Sequence, residues 1–217
     1  MNRGQVIARF REECPEITTR TISDAVLQSW CEVGEHEVAA KARLIKGDTT
    51  FSSIIGVKAH DLTSEITKFY DIDDIPGGGV IYDNDRLTKT SVAELDQLNA
   101  SWRDNSNGTP DKYYRRGKFL NFECPSVAVK DIQVYAILVS DDWDDDNIDP
   151  FNQLSYYEPH HYVMVLYLIM RAKSKVGKPQ EKADAEREYQ SYVESMKEVE
   201  DRGDHSAIQL KPKRYYS

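Results

Sequence analysis

The chain has 217 residues, with 28 Lys and Arg against 37 Asp and Glu, for a formal net charge of −9. Its 40% hydrophobic and 30% charged content is that of a folded domain and excludes wholesale disorder. The length allows one domain with a real core and an inserted subdomain, and the acidity excludes a protein whose main task is to wrap nucleic acid through its phosphates.

The start, MNRGQVIARFREECPE, lacks the apolar core of a secretory signal, because Arg3, Arg9 and Arg11 interrupt it, so no export is expected. Gln5 to Glu13 reads as a short helix stopped by Pro15. Thr21 to about Arg43 is the first clear helix. Thr21 or Ser23 caps it, Ile22, Val26, Trp30, Val33 and Val38 form its apolar stripe, and Glu32, Glu35, Glu37 and Lys41 form its polar face.

From about 49 to 139 the texture changes to short β-branched and aromatic runs between turn residues, the signature of strands. TFSSIIGV, EITKFYDI, GGVIYD, GKFLNFEC and KDIQVYAILV are the candidates. Leu120, Phe122 and Cys124 alternate with Asn121 and Glu123, so that strand buries one face, while IQVYAILV is apolar on both sides and lies centrally. Ser91 stands three residues before Glu94, a capping-box spacing that predicts a short helix in TSVAELDQL, and SWRDNSNGTP reads as loop.

After Pro159 the period is helical again. HHYVMVLYLIMRAKSKVG ends at Gly177, Pro179 opens the next helix, and that helix runs to about Arg202 with Ala185, Tyr189, Val193, Met196 and Val199 on one stripe. The short connection predicts an antiparallel hairpin packed on the 21–43 helix. The most apolar run, YVMVLYLIM at 162–170, is about half the ~20 residues that cross a bilayer. The fold class expected is α+β: a helical core of the 21–43 helix and the 160–202 hairpin, an inserted antiparallel β subdomain, and an extended tail over 204–217.

Cys14, Cys31 and Cys124 show no CxxC spacing and read as reduced core thiols. In PGGGVIYDNDRL the glycines precede a strand and no GK[ST] follows, so the stretch reads as a turn feeding a strand, with Asn84-Asp85 making the next hairpin turn. His160 and His161, adjacent in sequence, read as polar residues at a helix start, since neighbouring helical positions point ~100° apart. His36, His60 and His205 are isolated, and no nucleophile elbow or paired-carboxylate motif nominates an active site, so no enzyme and no cofactor are expected.

SDDWDDDNIDP at 140–150 holds six aspartates: Asp141, Asp142, Asp144, Asp145, Asp146 and Asp149. A calcium loop that began at Asp142 would need glycine at its sixth place and Glu at its twelfth, where Asn147 and Gln153 stand, which excludes an EF-hand. The stretch reads as a solvated loop in which neutralising Asp144, Asp145 and Asp146 leaves the melting temperature almost unchanged. An irregular Ca²⁺ module and an unrelated small α+β enzyme are the alternatives from other functional classes.

The order of parts resembles the adaptor, or head–tail connector, proteins of tailed bacteriophages. The residues that carry the likeness are Val80, Tyr82 and Leu87, then Leu95, Asp96 and Trp102, Pro110 and Tyr113, and finally Asp149, Pro150 and His161. The likeness spans roughly Ala25 to Val199, and the chain departs from the pattern at PGGG and FECPSV. The resemblance implies a structural virion protein in the neck, made in the host cytoplasm, that forms a dodecameric ring between the portal and the tail or nozzle proteins. DNA would pass through that ring without specific binding, with the six aspartates lining the channel or a subunit seam. The tail residues Leu210, Lys211, Lys213, Arg214, Tyr215 and Tyr216 form a basic and aromatic segment suited to ordering on a neighbour, with a frayed terminus as the alternative, and the resemblance implies that the neighbour is the portal.

Overall fold

The computed structural model describes residues 1–74, 78–151 and 155–202. The chain divides into two compact units, one of residues 1–45 with the chain from 140 onward, the other of residues 46–139.

In the first unit, α1 (Arg3–Glu13) opens with a capping box: Gln5 N–H donates to Asn2 Oδ1 at 2.9 Å and Asn2 N–H to Gln5 Oε1 at 3.0 Å. α2 (Asp24–Ala42) ends on Arg43, which takes a left-handed conformation at φ 59°. α5 (Tyr162–Lys175) stops before Gly177, whose φ of 72° suits glycine, and α6 (Pro179–Arg202) starts on its proline as expected. These helices share one core, in which Phe10, Leu27, Val38, Leu166, Tyr189 and Met196 are buried. The stripe expected on α6 is buried from Ala185 to Val199.

The stripe expected on α2 holds at its ends, where Ile22 and Val38 are buried, but not in its middle. Its buried face is Leu27, Cys31, Gly34, Val38 and Ala42, together with Glu35, which the sequence had put on the polar side. Val33 is 48% exposed, and Val26 and Trp30 are only partly covered. The physical reason is close approach. A Cβ on Gly34 would stand 2.5 Å from Tyr167 Cδ1, so α2 turns Gly34 rather than its neighbour Val33 toward α5.

In the second unit, β1 (Lys46–Ser52), β9 (Asp131–Leu138), β4 (Val80–Tyr82) and β5 (Asp85–Arg86) lie in that order in one sheet, with β3 (Phe69–Ile72) also on β9. β9 is central, as its two-sided apolar pattern predicts. A second sheet has the order β2 (Ala59–Asp61), β8 (Phe119–Phe122), β7 (Lys112–Arg116), β6 (Thr88–Lys89). α3 (Leu62–Glu65) follows β2, and α4 (Val92–Leu98) carries both hydrogen bonds of the Ser91–Glu94 capping box. Val80, Tyr82, Leu120, Phe122, Ile132 and Val134 make the core of this unit.

Three local expectations differ from the structure. β1 begins earlier than TFSSIIGV and ends at Ser52, leaving Ile54 and Ile55 exposed at 59% and 54%. The hairpin turn after β4 is Asp83-Asn84, both left-handed at φ 50° and 73°, because Tyr82 pairs with Asp85 and a two-residue turn must match the strand twist. Within SWRDNSNGTP, Trp102–Asp104 forms a 3₁₀ turn held by the Trp102 indole N–H on Asp96 Oδ1 at 2.8 Å.

Candidate interaction surface on the acidic loop

The acidic loop is tied down from the far end of the chain. Arg3 lies on the same face of α1 as Val6, Ile7 and Phe10 and is 6% exposed, so its guanidinium must find acceptors within the fold. It finds them in the loop. Arg3 Nη1 donates to the Trp143 carbonyl at 2.6 Å, Nη2 to the Asp144 carbonyl, and Nε to Asp146 Oδ1 at 2.6 Å. Gly4 N–H adds a bond to the Asp146 carbonyl at 3.1 Å, and Gln28 Nε2 reaches Asp146 Oδ2 at 3.1 Å from α2. Trp143 is 2% exposed and donates its indole N–H to the Ile148 carbonyl at 2.7 Å, closing the loop on itself.

This anchoring sorts the six aspartates. Asp146 is structural, although its side chain stays 47% exposed. Asp141, Asp142, Asp144 and Asp145 are exposed, because the backbone between them turns its carbonyls inward onto Arg3. Asp142 is 3.6 Å from His36 Nε2, Asp145 Oδ1 accepts from Asn147 N–H at 2.8 Å in an Asx turn, and Asp149 lies 3.5 Å from the Met1 ammonium. The loop is therefore anchored rather than simply solvated, and Asp146, unlike Asp144 and Asp145, takes part in the anchor. Among the described residues, no three His, Cys, Asp or Glu side chains form a group that could hold a metal ion.

The loop leaves through Phe151, buried in a left-handed conformation at φ 59°, with its N–H donating to Glu35 Oε1 at 2.6 Å. This contact explains the buried Glu35 of α2. Beyond it, His160 and His161 are each 2% exposed and precede α5 instead of standing as polar residues in its first turn. Their rings pack on Tyr157 and Phe151. Burial, followed by the Met1 ammonium, pushes the His161 imidazole down to about 4.

The departures at FECPSV and PGGG also have structural roles within the β unit. Ser126 is fully buried, hydrogen-bonded to the Tyr82 hydroxyl and the Ala128 carbonyl and within 3.3 Å of Ser53 Oγ. Gly79 has φ 95°, which only glycine adopts readily, and its N–H donates to the Asp73 carbonyl at 2.6 Å. Pro76 and Gly77 lie outside the described residues, as do Leu210, Lys211, Lys213, Arg214, Tyr215 and Tyr216 of the tail.

The model of one protein family, described as SU10 adaptor protein, matches residues 1–211. The chain belongs to the SU10 adaptor protein family. This is a family of structural phage adaptors. No curated protein matches the chain. Among the described residues, no helix of this SU10 adaptor is long and apolar enough to cross a membrane. Most of the residues that carried the resemblance are scaffold: Val80, Tyr82, Leu87, Leu95, Trp102, Tyr113 and His161 are all buried, and Asp96 holds the Trp102 indole. The features they mark are therefore largely core positions, whereas the exposed carboxylates of the acidic loop lie on the surface of the helical unit.

Proposed function

We propose that this adaptor is a subunit of a ring, dodecameric by its family likeness, that joins the portal to the tail proteins in the virion neck after synthesis in the host cytoplasm. DNA passes through that ring, and Asp141, Asp142, Asp144 and Asp145 face the channel or a seam between subunits. The observation that carries this reading is the family match over residues 1–211. The acidity adds a physical reason. A basic wall would hold the duplex through counterion release, whereas a wall of carboxylates lets phosphates slide past. The Arg3 clamp supports the reading too, since it spends one cation on the loop's backbone and on Asp146 and leaves four carboxylates outward.

Attachment to the portal falls to the C-terminal residues Leu210, Lys211, Lys213, Arg214, Tyr215 and Tyr216, whose basic and aromatic composition fits an acidic or aromatic-lined groove. The test is assembly of the purified chain on purified portal rings, with and without residues 207–217. The full chain binds and the truncated chain stays folded but binds weakly. Undiminished binding by the truncated chain removes the tail from the account, and failure of the full chain to bind removes the portal.

A further inference from the structure

The outer side of α2, at Val26, Trp30 and Val33, is only partly covered by the helical unit. Val26, Trp30 and Val33 follow one another at helical spacing, and Val33 is 48% exposed. Trp30 is flanked by two exposed cations of α5: the Arg171 guanidinium and the Lys175 ammonium both lie 5.8 Å from its ring centre. Other cations of this unit are held by carboxylates, as Lys173 is by Glu16 and Glu181, Lys178 by the same pair, and Arg187 by Asp184, whereas these two are held at an aromatic ring. Among the described residues, neither Arg171 nor Lys175 forms an ion pair. In a chain of net charge −9, a half-buried tryptophan beside two exposed cations that form no ion pair is complementary to a concentrated acid.

The same unit holds that acid. Asp141, Asp142, Asp144 and Asp145 are exposed, and the Arg3 clamp presents them as a fixed rather than floppy cluster, which lowers the ordering cost of binding. The loop lies against the side of α2 that carries Gln28 and His36. At 100° per residue, Val26, Trp30 and Val33 lie roughly 130° around the helix from Gln28, Glu32 and His36. One copy therefore carries the acid and its complement on different faces of one helix. We infer that the Val26–Trp30–Val33 face, with Arg171 and Lys175, receives the acidic loop of a second copy of this chain. Such a contact is head-to-tail, and head-to-tail contacts generate rings when the rotation closes. The inference deepens the adaptor-ring reading by naming the subunit seam, and rests on it for its biological setting.

The test uses two full-length variants, Val33→Cys in the receiving face and Asp144→Cys in the loop, joined by a short bismaleimide. The native Cys14, Cys31 and Cys124 are buried, which directs the reagent to the new thiols, and the unsubstituted chain measures the background. Crosslinking is read in the free chain at high concentration and in the chain assembled on portal rings. The mixture of the two variants is expected to give a covalent dimer in at least one of these settings, and neither variant alone does so. Arg171→Glu with Lys175→Glu in the Val33→Cys chain should lower the yield ~10-fold or more, because like charges then face each other. Asp142→Lys with Asp145→Lys in the other chain should restore it. Absence of the mixed dimer in both settings overturns the inference, as does an equal yield from Val33→Cys alone or crosslinking of that thiol to the portal. If the chain assembles on the portal without the mixed crosslink, the seam is wrong and the ring reading stands. If the free chains crosslink but never bind the portal, the seam stands and the portal reading falls.

Discussion

Arg3 and Asp146 lie 143 residues apart in the chain and are joined by a hydrogen bond of 2.6 Å between the guanidinium Nε and a carboxylate oxygen. The same guanidinium holds the Trp143 and Asp144 carbonyls, so one side chain of the first helix sets the path of the most acidic stretch of the protein. Arg3→Ala should therefore destabilise the protein by ~2–3 kcal/mol, since it leaves buried acceptors without a donor. Arg3→Lys should recover only part of this, because an ammonium cannot spread three bonds in one plane. Urea unfolding of the variants measures both, and a loss under ~0.5 kcal/mol for Arg3→Ala would put the anchor elsewhere.

The aspartates should divide by the same measurement. Asp144→Asn with Asp145→Asn should leave stability within ~0.5 kcal/mol, since both carboxylates are exposed. Asp146→Asn should cost ~1 kcal/mol, the difference between a charge-assisted and a neutral bond at a half-exposed site. Equal effects at all three positions would contradict the clamp.

Packing between α2 and α5 is tested at Gly34. A methyl group there would stand 2.5 Å from Cδ1 and 2.8 Å from Cε1 of the buried Tyr167 ring, so Gly34→Ala should lose ~1–3 kcal/mol despite alanine's better helix propensity. Leu166→Ala, at a position 2% exposed in the shared core, should cost ~2–5 kcal/mol through a cavity. Thermal or urea unfolding decides both, and a gain in stability for Gly34→Ala would show that the two helices are free to part.

Acid should weaken the fold in a defined window. His161, with burial first and the Met1 ammonium second, has its folded value lowered to about 4, and His160 is lowered by burial as well. A histidine with a depressed folded value contributes stability that is complete above its unfolded value near 6.5 and declines as pH falls toward 4. Glu16 behaves as a carboxylate held down to about 2 by the Lys173 ammonium, so its smaller, solvent-screened contribution is lost below about 4.5. The urea midpoint should fall between pH 7 and 4, and His161→Asn should flatten that slope. An unchanged slope in the variant would assign the acid sensitivity to other groups.

Much of this architecture could be read from the chain by periodicity. The stripe of α6, the Ser91–Glu94 box, the alternating burial in β8 and the central place of β9 all follow from spacing, because each reflects a contact within one element or a face buried throughout its length. Most of what escaped was set by partners far away in sequence. The apolar residues of α2 form two stripes, and only the approach of Tyr167 to Gly34 decides that the one with Gly34 faces inward. Glu35 looked like a surface charge because nothing nearby in sequence reveals the Phe151 N–H that it meets. His160 and His161 looked polar although the rings that pack on them, Tyr157 and Phe151, are near in sequence, because the turn that folds that segment back shows no helical or strand period. The charge of the acidic loop was obvious, yet its inward-facing carbonyls were not. The available signal was Arg3 itself, a cation on the core face of α1 in step with Val6, Ile7 and Phe10.

The place of this protein in the phage particle can be seen directly. Electron cryo-microscopy of the neck should show a closed ring of this chain against the portal, with the 140–150 loops at the channel wall or at the seams between subunits. A neck reconstruction in which the ring beneath the portal is built from another protein would contradict that placement.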